Sequence, residues 1–265
     1  MGIYTKISED GGKWVEIGTD GGGLSAAVIN DASSNYNNKD SGVVIDGKTY
    51  DIYTFTDETA NDLSLTVDTP GLVDALIVAG GGGGGGGQNA GKGGGGAGGL
   101  INTSLLVDAH TYEVKVGNGG AGGGDANSPS GGATGGNSIA FGLTAHGGGG
   151  GGYSPSYNTG VITAGGVGGS GGGGNPPGST LPYLSSQGHD GDGLGGGGAG
   201  GQNGNEGGPG IILDFDLQGD VEYAMGGNSN TPDAPTTPGS GGKAGAAYAA
   251  GNAGKNGIVI VRVEV

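Results

Sequence analysis

Residues 75–87 read Ala75-Leu76-Ile77-Val78-Ala79 and then eight consecutive glycines, Gly80 to Gly87. The apolar half reads as a strand buried on both faces, continuing from Leu72. The second half has no side chains at all, and its reading decides the fold. A strand is a poor answer, because glycine has nothing to pack there. An α-helix is worse, at about 1 kcal/mol lost per glycine relative to alanine. The polyproline II shape fits better. It has three residues per turn, a rise of roughly 3.1 Å and no internal hydrogen bonds. Its outward N–H and C=O groups need partners if buried. Bare backbones can approach until they bond one another directly, so a lattice of such helices satisfies every group. Eight residues then span roughly 25 Å.

Further tracts run along the chain: Gly91–Gly99, Gly117–Gly124, Gly131–Gly136, Gly147–Gly152, Gly165–Gly174, Gly195–Gly201, Gly204–Gly210 and Gly239–Gly245. Interior helices must be glycine on all faces, with Gly83 and Gly149 expected inside. Outer helices tolerate a side chain, which accounts for Ala97, Ala121, Ala133, Val167, Ser170 and Ala199. In all, 75 of 265 residues are glycine, far above the usual share. Collagen is excluded, because it needs glycine at every third position and abundant proline, whereas here glycines form solid runs and prolines number 10. The Val/Ile/Leu-rich blocks between the tracts argue against a disordered chain.

Those blocks read as strands. Val43-Val44-Ile45 and Lys48 to Thr56 flank Asp46-Gly47, a strong hairpin signal. Leu63, Leu65 and Val67 alternate with polar neighbours, as do Tyr112, Val114 and Val116. Ile211, Leu213, Phe215 and Leu217 alternate with Ile212, Asp214 and Asp216. Val259, Val261, Val263 and Val265 alternate at the C-terminal end. No segment shows helical periodicity with caps. The expected class is all-β, with almost no α-helix. Residues 1–40 read as a small attachment segment: a turn at Asp10 to Lys13, a strand Trp14 to Ile17, and a linker including Asn30 to Asp40. Residues 41–265 read as the glycine-rich body.

The net charge is −16 and the pI is near 4.1. So few basic residues make nucleic-acid binding an unsuitable role, and an anionic membrane surface equally so. No cysteine is available for disulfides or thiolate sites. The N-terminus lacks the apolar core of a signal peptide and no segment reaches the length of a membrane span. The chain is expected either inside the cell or at a site reached by assembly and lysis.

Several motifs tempt. Gly42 to Thr49 fits the P-loop expression, but an alternating strand follows where a helix is required. His189-Asp190-Gly191-Asp192 has calcium-like oxygens, without the repeated nonapeptide of calcium β-helices; a solvated loop is the expected reading. His110, His146 and His189 have no paired nucleophile, and Asp214 with Asp216 reads as a solvated strand face. Nothing assembles an acid, a base and an oxyanion hole, so neither catalysis nor a cofactor or metal is expected.

The order of these motifs carries a resemblance. Ala75 to Ala79 runs into Gly80 to Gly87, and Gly93-Gly94-Gly95-Gly96-Ala97-Gly98-Gly99 precedes a strand. Tyr112-Glu113-Val114-Lys115-Val116 leads into Gly117-Asn118-Gly119-Gly120-Ala121-Gly122. Asn137 to Gly142, Ala145-His146-Gly147-Gly148 and Asn256-Gly257-Ile258-Val259-Ile260-Val261-Arg262 follow. Over roughly residues 41–265 this resembles the glycine-rich domain of bacteriophage tail-fibre adhesins, and is similar to that of the anaplastic lymphoma kinase receptor. The resemblance implies a jelly-roll-like β-sandwich with an inserted bundle of packed polyglycine II helices. It implies a virion adhesin of the tail fibre or baseplate, mounted on other phage tail proteins through the N-terminal segment. Its loops would meet a bacterial surface receptor, an outer-membrane protein or a glycan. Those loops are Gln88–Ala90, Tyr153–Val161, Asn175–Leu194, Asn228–Pro238 and Tyr248. Within them Tyr153, Tyr157, Pro182, Tyr183, Leu184 and Tyr248 are the candidate contacts, since tyrosine on a rigid scaffold anchors binding at low entropy cost. The plain alternative is that these tyrosines cap the lattice. A purely structural virion protein is the second functional reading. An ice-binding surface, the third, needs a flat regular array that these loops lack.

Overall fold

The computed structural model describes residues 3–6, 14–17, 25–45, 47–56, 62–88, 92–156, 162–175, 178, 187–216, 219–229 and 236–265. The fold is all-β: among these residues there is no α-helix, and the one helical element is a 3-10 turn at Asp31–Ser33.

At the N-terminal end β1 (Ile3–Lys6) and β2 (Trp14–Ile17) pair as an antiparallel ladder. The sandwich is built from β3 (Val28–Ile29), β4 (Asn38–Ile45), β5 (Lys48–Phe55), β6 (Ser64–Thr69), β7 (Gly71–Val78), β8 (Leu100–Val107), β9 (Thr111–Glu113) and β14 (Ile258–Glu264). One sheet has the order β4-β5-β14-β7-β8 and the other β3-β6-β9. Every ladder in them is antiparallel. Small hairpins, β10 (Ser138–Ala140) with β11 (Leu143–Ala145) and β12 (Ile211–Leu213) with β13 (Val221–Tyr223), complete the strands.

The alternation of β14 places it at the centre of the larger sheet. Val259, Val261 and Val263 enter the core between the sheets, with Leu65, Val67, Val73, Ala75 and Ile77. Ile258 and Ile260 enter a second core on the opposite face, with Ile52, Leu76, Val78, Leu100 and Tyr223. Period-2 geometry sends alternate side chains to opposite faces, and both faces of this sheet are covered. The expected hairpin pairing forms, with Ile45 opposite Lys48 and Gly47 at φ +80°; Asp46 lies outside the described residues. A strand therefore follows the P-loop-like stretch, as expected.

Two expectations for the strand-bearing segments are corrected. Asn30 to Asp40 is not a linker. Asn30 caps the 3-10 turn, Asn35 bridges to Ser64, and β4 starts at Asn38 and runs across position 40. Polar composition hid this, because the polar groups satisfy one another. The Lys39 ammonium lies 2.6 Å from Asp31 and 2.7 Å from Asp51, and the Tyr53 hydroxyl donates to Asp31 at 2.9 Å. Burial pushes the Asp31 carboxyl up, but hydrogen bonds from Lys39 and Tyr53 and the Lys39 charge hold it below its ordinary value. The strand expected through Leu217 stops at Leu213. Phe215 instead turns inward, buried under the Arg262 guanidinium at 4.1 Å, and the Asp214 carboxylate accepts the Gly219 N–H. Asp214 and Asp216 therefore do not share a strand face; Leu217 lies outside the described residues.

The glycine tracts form the expected lattice, and its geometry shows the threefold spiral directly. Along Gly80–Gly87 the N–H groups of Gly80, Gly83 and Gly86 reach Gly136, Ala133 and Ser130. Those of Gly81, Gly84 and Gly87 reach Lys255, Asn252 and Ala249, and those of Gly82 and Gly85 reach Gly96 and Gly93. Each third residue returns to the same neighbour, as three residues per turn requires. Acceptor numbers fall as donor numbers rise, so these three neighbours are antiparallel. Three parallel neighbours donate back: Gly148, Gly151 and Ser154 to Gly80, Gly83 and Gly86; Gly120 and Gly123 to Gly81 and Gly84; Gly242 and Gly245 to Gly82 and Gly85. The tract is thus enclosed by six others. Its burial is matched by complete hydrogen bonding, without apolar side chains.

Any β-carbon in this interior meets backbone. At Gly83 it would stand 2.0 Å from the Ala121 carbonyl oxygen, and at Gly149 2.1 Å from that of Gly166. Ala121 and Ala133 are exposed and Val167 is 51 % exposed, as expected for outer helices. Ala97 and Ser170 are corrections: both are fully buried, and Ala199 nearly so. Ala97 and Ala199 face the second apolar core, where a methyl finds carbon and not a carbonyl.

Candidate functional site

The inner tract leaves the sandwich at the end of β7, and Gly87 marks its far end. The segments around Gly87 define a face opposite the sandwich. Past Gly87, the Gln88 N–H donates to Ser154 O and its side-chain amide to Ala126 O at 3.1 Å. The turn at residues 125–128 is held by Asp125, whose carboxylate accepts the N–H groups of Asn127 and Ser128. A second turn, residues 246–249, closes through Ala249 N–H to Ala246 O. The same end of the lattice includes Leu194, whose carbonyl accepts from Gly94, and Asn205, whose side chain accepts from Leu194 N–H at 3.1 Å. Ser229 closes onto Asn205 O.

The lattice ends are finished by polar side chains, much as helix ends are capped. Ser130 accepts from Gly124 N–H at 2.8 Å, Asn228 from Gly207 at 2.6 Å, Asp192 from Gly204 at 3.1 Å and Thr163 from Tyr153 at 2.9 Å. At the sandwich end Ser138 accepts from Gly117, Asn137 from Gly147 and Gln187 from His146. The calcium-like Asp192 therefore serves a backbone amide. Among the described residues, no group of three or more His, Asp or Glu side chains is placed to hold a metal.

Of the candidate contact residues, Tyr153 and Tyr248 sit at this far end. Tyr153 is half-buried. Its ring reaches Gly131, with Cδ1 3.7 Å from where a β-carbon there would stand. Tyr248 is 57 % exposed on the 246–249 turn, at φ +63°. A non-glycine residue in this left-handed region is uncommon and is held there by its surroundings. Tyr157, Pro182, Tyr183 and Leu184 lie outside the described residues.

Sequence reasoning missed Lys92. It is fully buried and donates to the carbonyls of Gly87, Ala246 and Ala249. A lysine between glycines reads as a solvated charge. The one sequence signal is that it stands at the mouth of a tract, where carbonyls accumulate. On the sandwich a cleft of about 170 Å³ is lined by Lys48, Tyr50, Asp74, Arg262 and Glu264. Its charges are mutually paired, Lys48 with Glu264 at 2.6 Å and Arg262 with Asp74 at 3.2 Å.

Compared with known proteins, residues 58–264 match the family described as a glycine-rich domain. No curated protein matches the chain.

Proposed function

The chain belongs to the glycine-rich domain family, and from that premise we propose that it is a non-enzymatic bacteriophage adhesin. In this reading the sandwich and lattice are a rigid mount. The far-end loops bind a receptor on the bacterial surface, an outer-membrane protein or a glycan. The N-terminal segment joins the chain to other tail proteins of a fibre or baseplate. The motif order supports the adhesin class. The observation that carries the reading is the placement of Tyr248, an exposed aromatic held in a left-handed conformation at the lattice end. A tyrosine side chain has only two χ angles and loses little entropy on binding, which is the usual economy of paratope tyrosines.

The test compares adsorption to host cells of parent and Tyr248→Ala particles, with Tyr157→Ala and Tyr183→Ala alongside. A contact residue of this kind is worth roughly tenfold or more in affinity. Unchanged adsorption by the three variants together, with an unchanged circular dichroism melt, would leave the second reading: a structural tail or virion component. The polar caps that consume Asp125, Asp192 and Asn205 at this end favour that second reading.

A further inference from the structure

We propose that the far end of the lattice is a built site for a monovalent cation of the ammonium type, which the chain fills with its own Lys92. The inference is independent of what the loops bind.

Of the eight carbonyls in Gly80–Gly87, seven accept main-chain N–H groups and the eighth, that of Gly87, accepts from the Lys92 ammonium at 3.0 Å. Gly87 is also where the tract leaves the threefold spiral, at φ +122°. Ala246 O and Ala249 O complete the site, the second at 3.3 Å from Nζ. Each already accepts one main-chain N–H, from Ala249 and from Gly87 respectively, and offers its remaining lone pair. The lysine ammonium has three donors and no acceptor, so three carbonyls match it one for one. Among the described residues no carboxylate pairs with Lys92, and burial pushes its ammonium below the ordinary lysine value. A fully buried, unpaired charge is retained only where hydrogen bonds replace its water. These carbonyls fill that role, and the site ties three segments together: the end of the inner tract, the start of the returning one and the turn that carries Tyr248.

The test uses the whole chain with Lys92→Ala, which leaves the carbonyls and the space of the lysine side chain. Its melting temperature is read in ammonium chloride and in sodium chloride at matched ionic strength. A fall of roughly 5 °C or more from the parent is expected, recovered in part by ammonium and not by sodium. Lys92→Met, whose side chain refills most of that space, should fall and not be recovered. A Lys92→Ala chain as stable as the parent, or one indifferent to which cation is present, overturns the site. So does equal recovery of Lys92→Met. Should Lys92→Ala not fold in either salt, brief acylation of the parent decides. Lys92 should stay unmodified in the folded chain while Lys48 and Lys255 react; acylation of Lys92 at their rate overturns the site.

Discussion

The sandwich and the lattice solve the same problem with opposite materials. In the sandwich, Ile52, Leu76, Val261 and their neighbours remove apolar surface from water on both sides of β14. In the lattice, Gly80–Gly87 removes only backbone from water and answers each donor and acceptor. The first mechanism is non-directional and tolerates some repacking. The second is directional, has no rotamers to adjust, and places backbone where any side chain would go. The difference teaches that the two halves should fail differently.

The sharpest way to break the comparison is Gly149→Val. Its β-carbon would meet the Gly166 carbonyl oxygen 2.1 Å away, and its own N–H and C=O are already held by Ser170 and Gly96. Overpacking costs typically 1–3 kcal/mol where side chains can move; here the loss should be at least ~3 kcal/mol, read as insoluble expression or a collapsed thermal melt. Normal solubility and melting would mean that the tract is not enclosed. Next is Ile260→Ala in the sheet, a cavity variant expected to cost about 2–5 kcal/mol by urea denaturation while remaining folded. A cost larger than that of Gly149→Val would reverse the ranking.

Acid offers a smaller, regional effect. Asp31 is held below its ordinary value, so it contributes stability above that value and loses it as pH falls through its folded value. Amide protection factors at Ser33 and Asn35 should therefore fall below about pH 4. Those at Gly82 and Gly96 should hold over that range, because their partners are main-chain groups. An equal fall in both regions would mean that they open as one. The smallest effect belongs to Ala121→Ser on the exposed side of an outer helix, expected within about 0.5 kcal/mol of the parent. A large loss there would show the outer helices to be as constrained as the inner one.

The same contrast explains what could be read in advance. Strand blocks were legible because alternation is written in side chains: Leu65 and Val67 face the core as their spacing requires. That the tracts are threefold spirals followed from the absence of any other home for glycine. Which tract lies beside which was not legible, because Gly83 and Gly149 carry no mark that distinguishes their neighbours. Ala97 and Ser170 misled, because small side chains in a tract signal either an outer face or a pocket and the letter is the same. Asn30 to Asp40 misled through composition, since the ion pairs of Lys39 look like solvation until Asp51 is placed beside them. At the far end, Tyr248 stood out as an aromatic in a featureless stretch, whereas Lys92 had no apolar neighbour in sequence to announce its burial.

The return to the same neighbour at every third residue has a consequence for how such chains can change length. Inserting one or two residues into a tract would turn every downstream amide toward the wrong partner. Inserting three restores the facing of each group and advances the tip by roughly 9 Å. Growth or shortening of this molecule should therefore come in triplets, matched across adjoining spirals, so that reach is set in discrete steps while the β scaffold stays untouched.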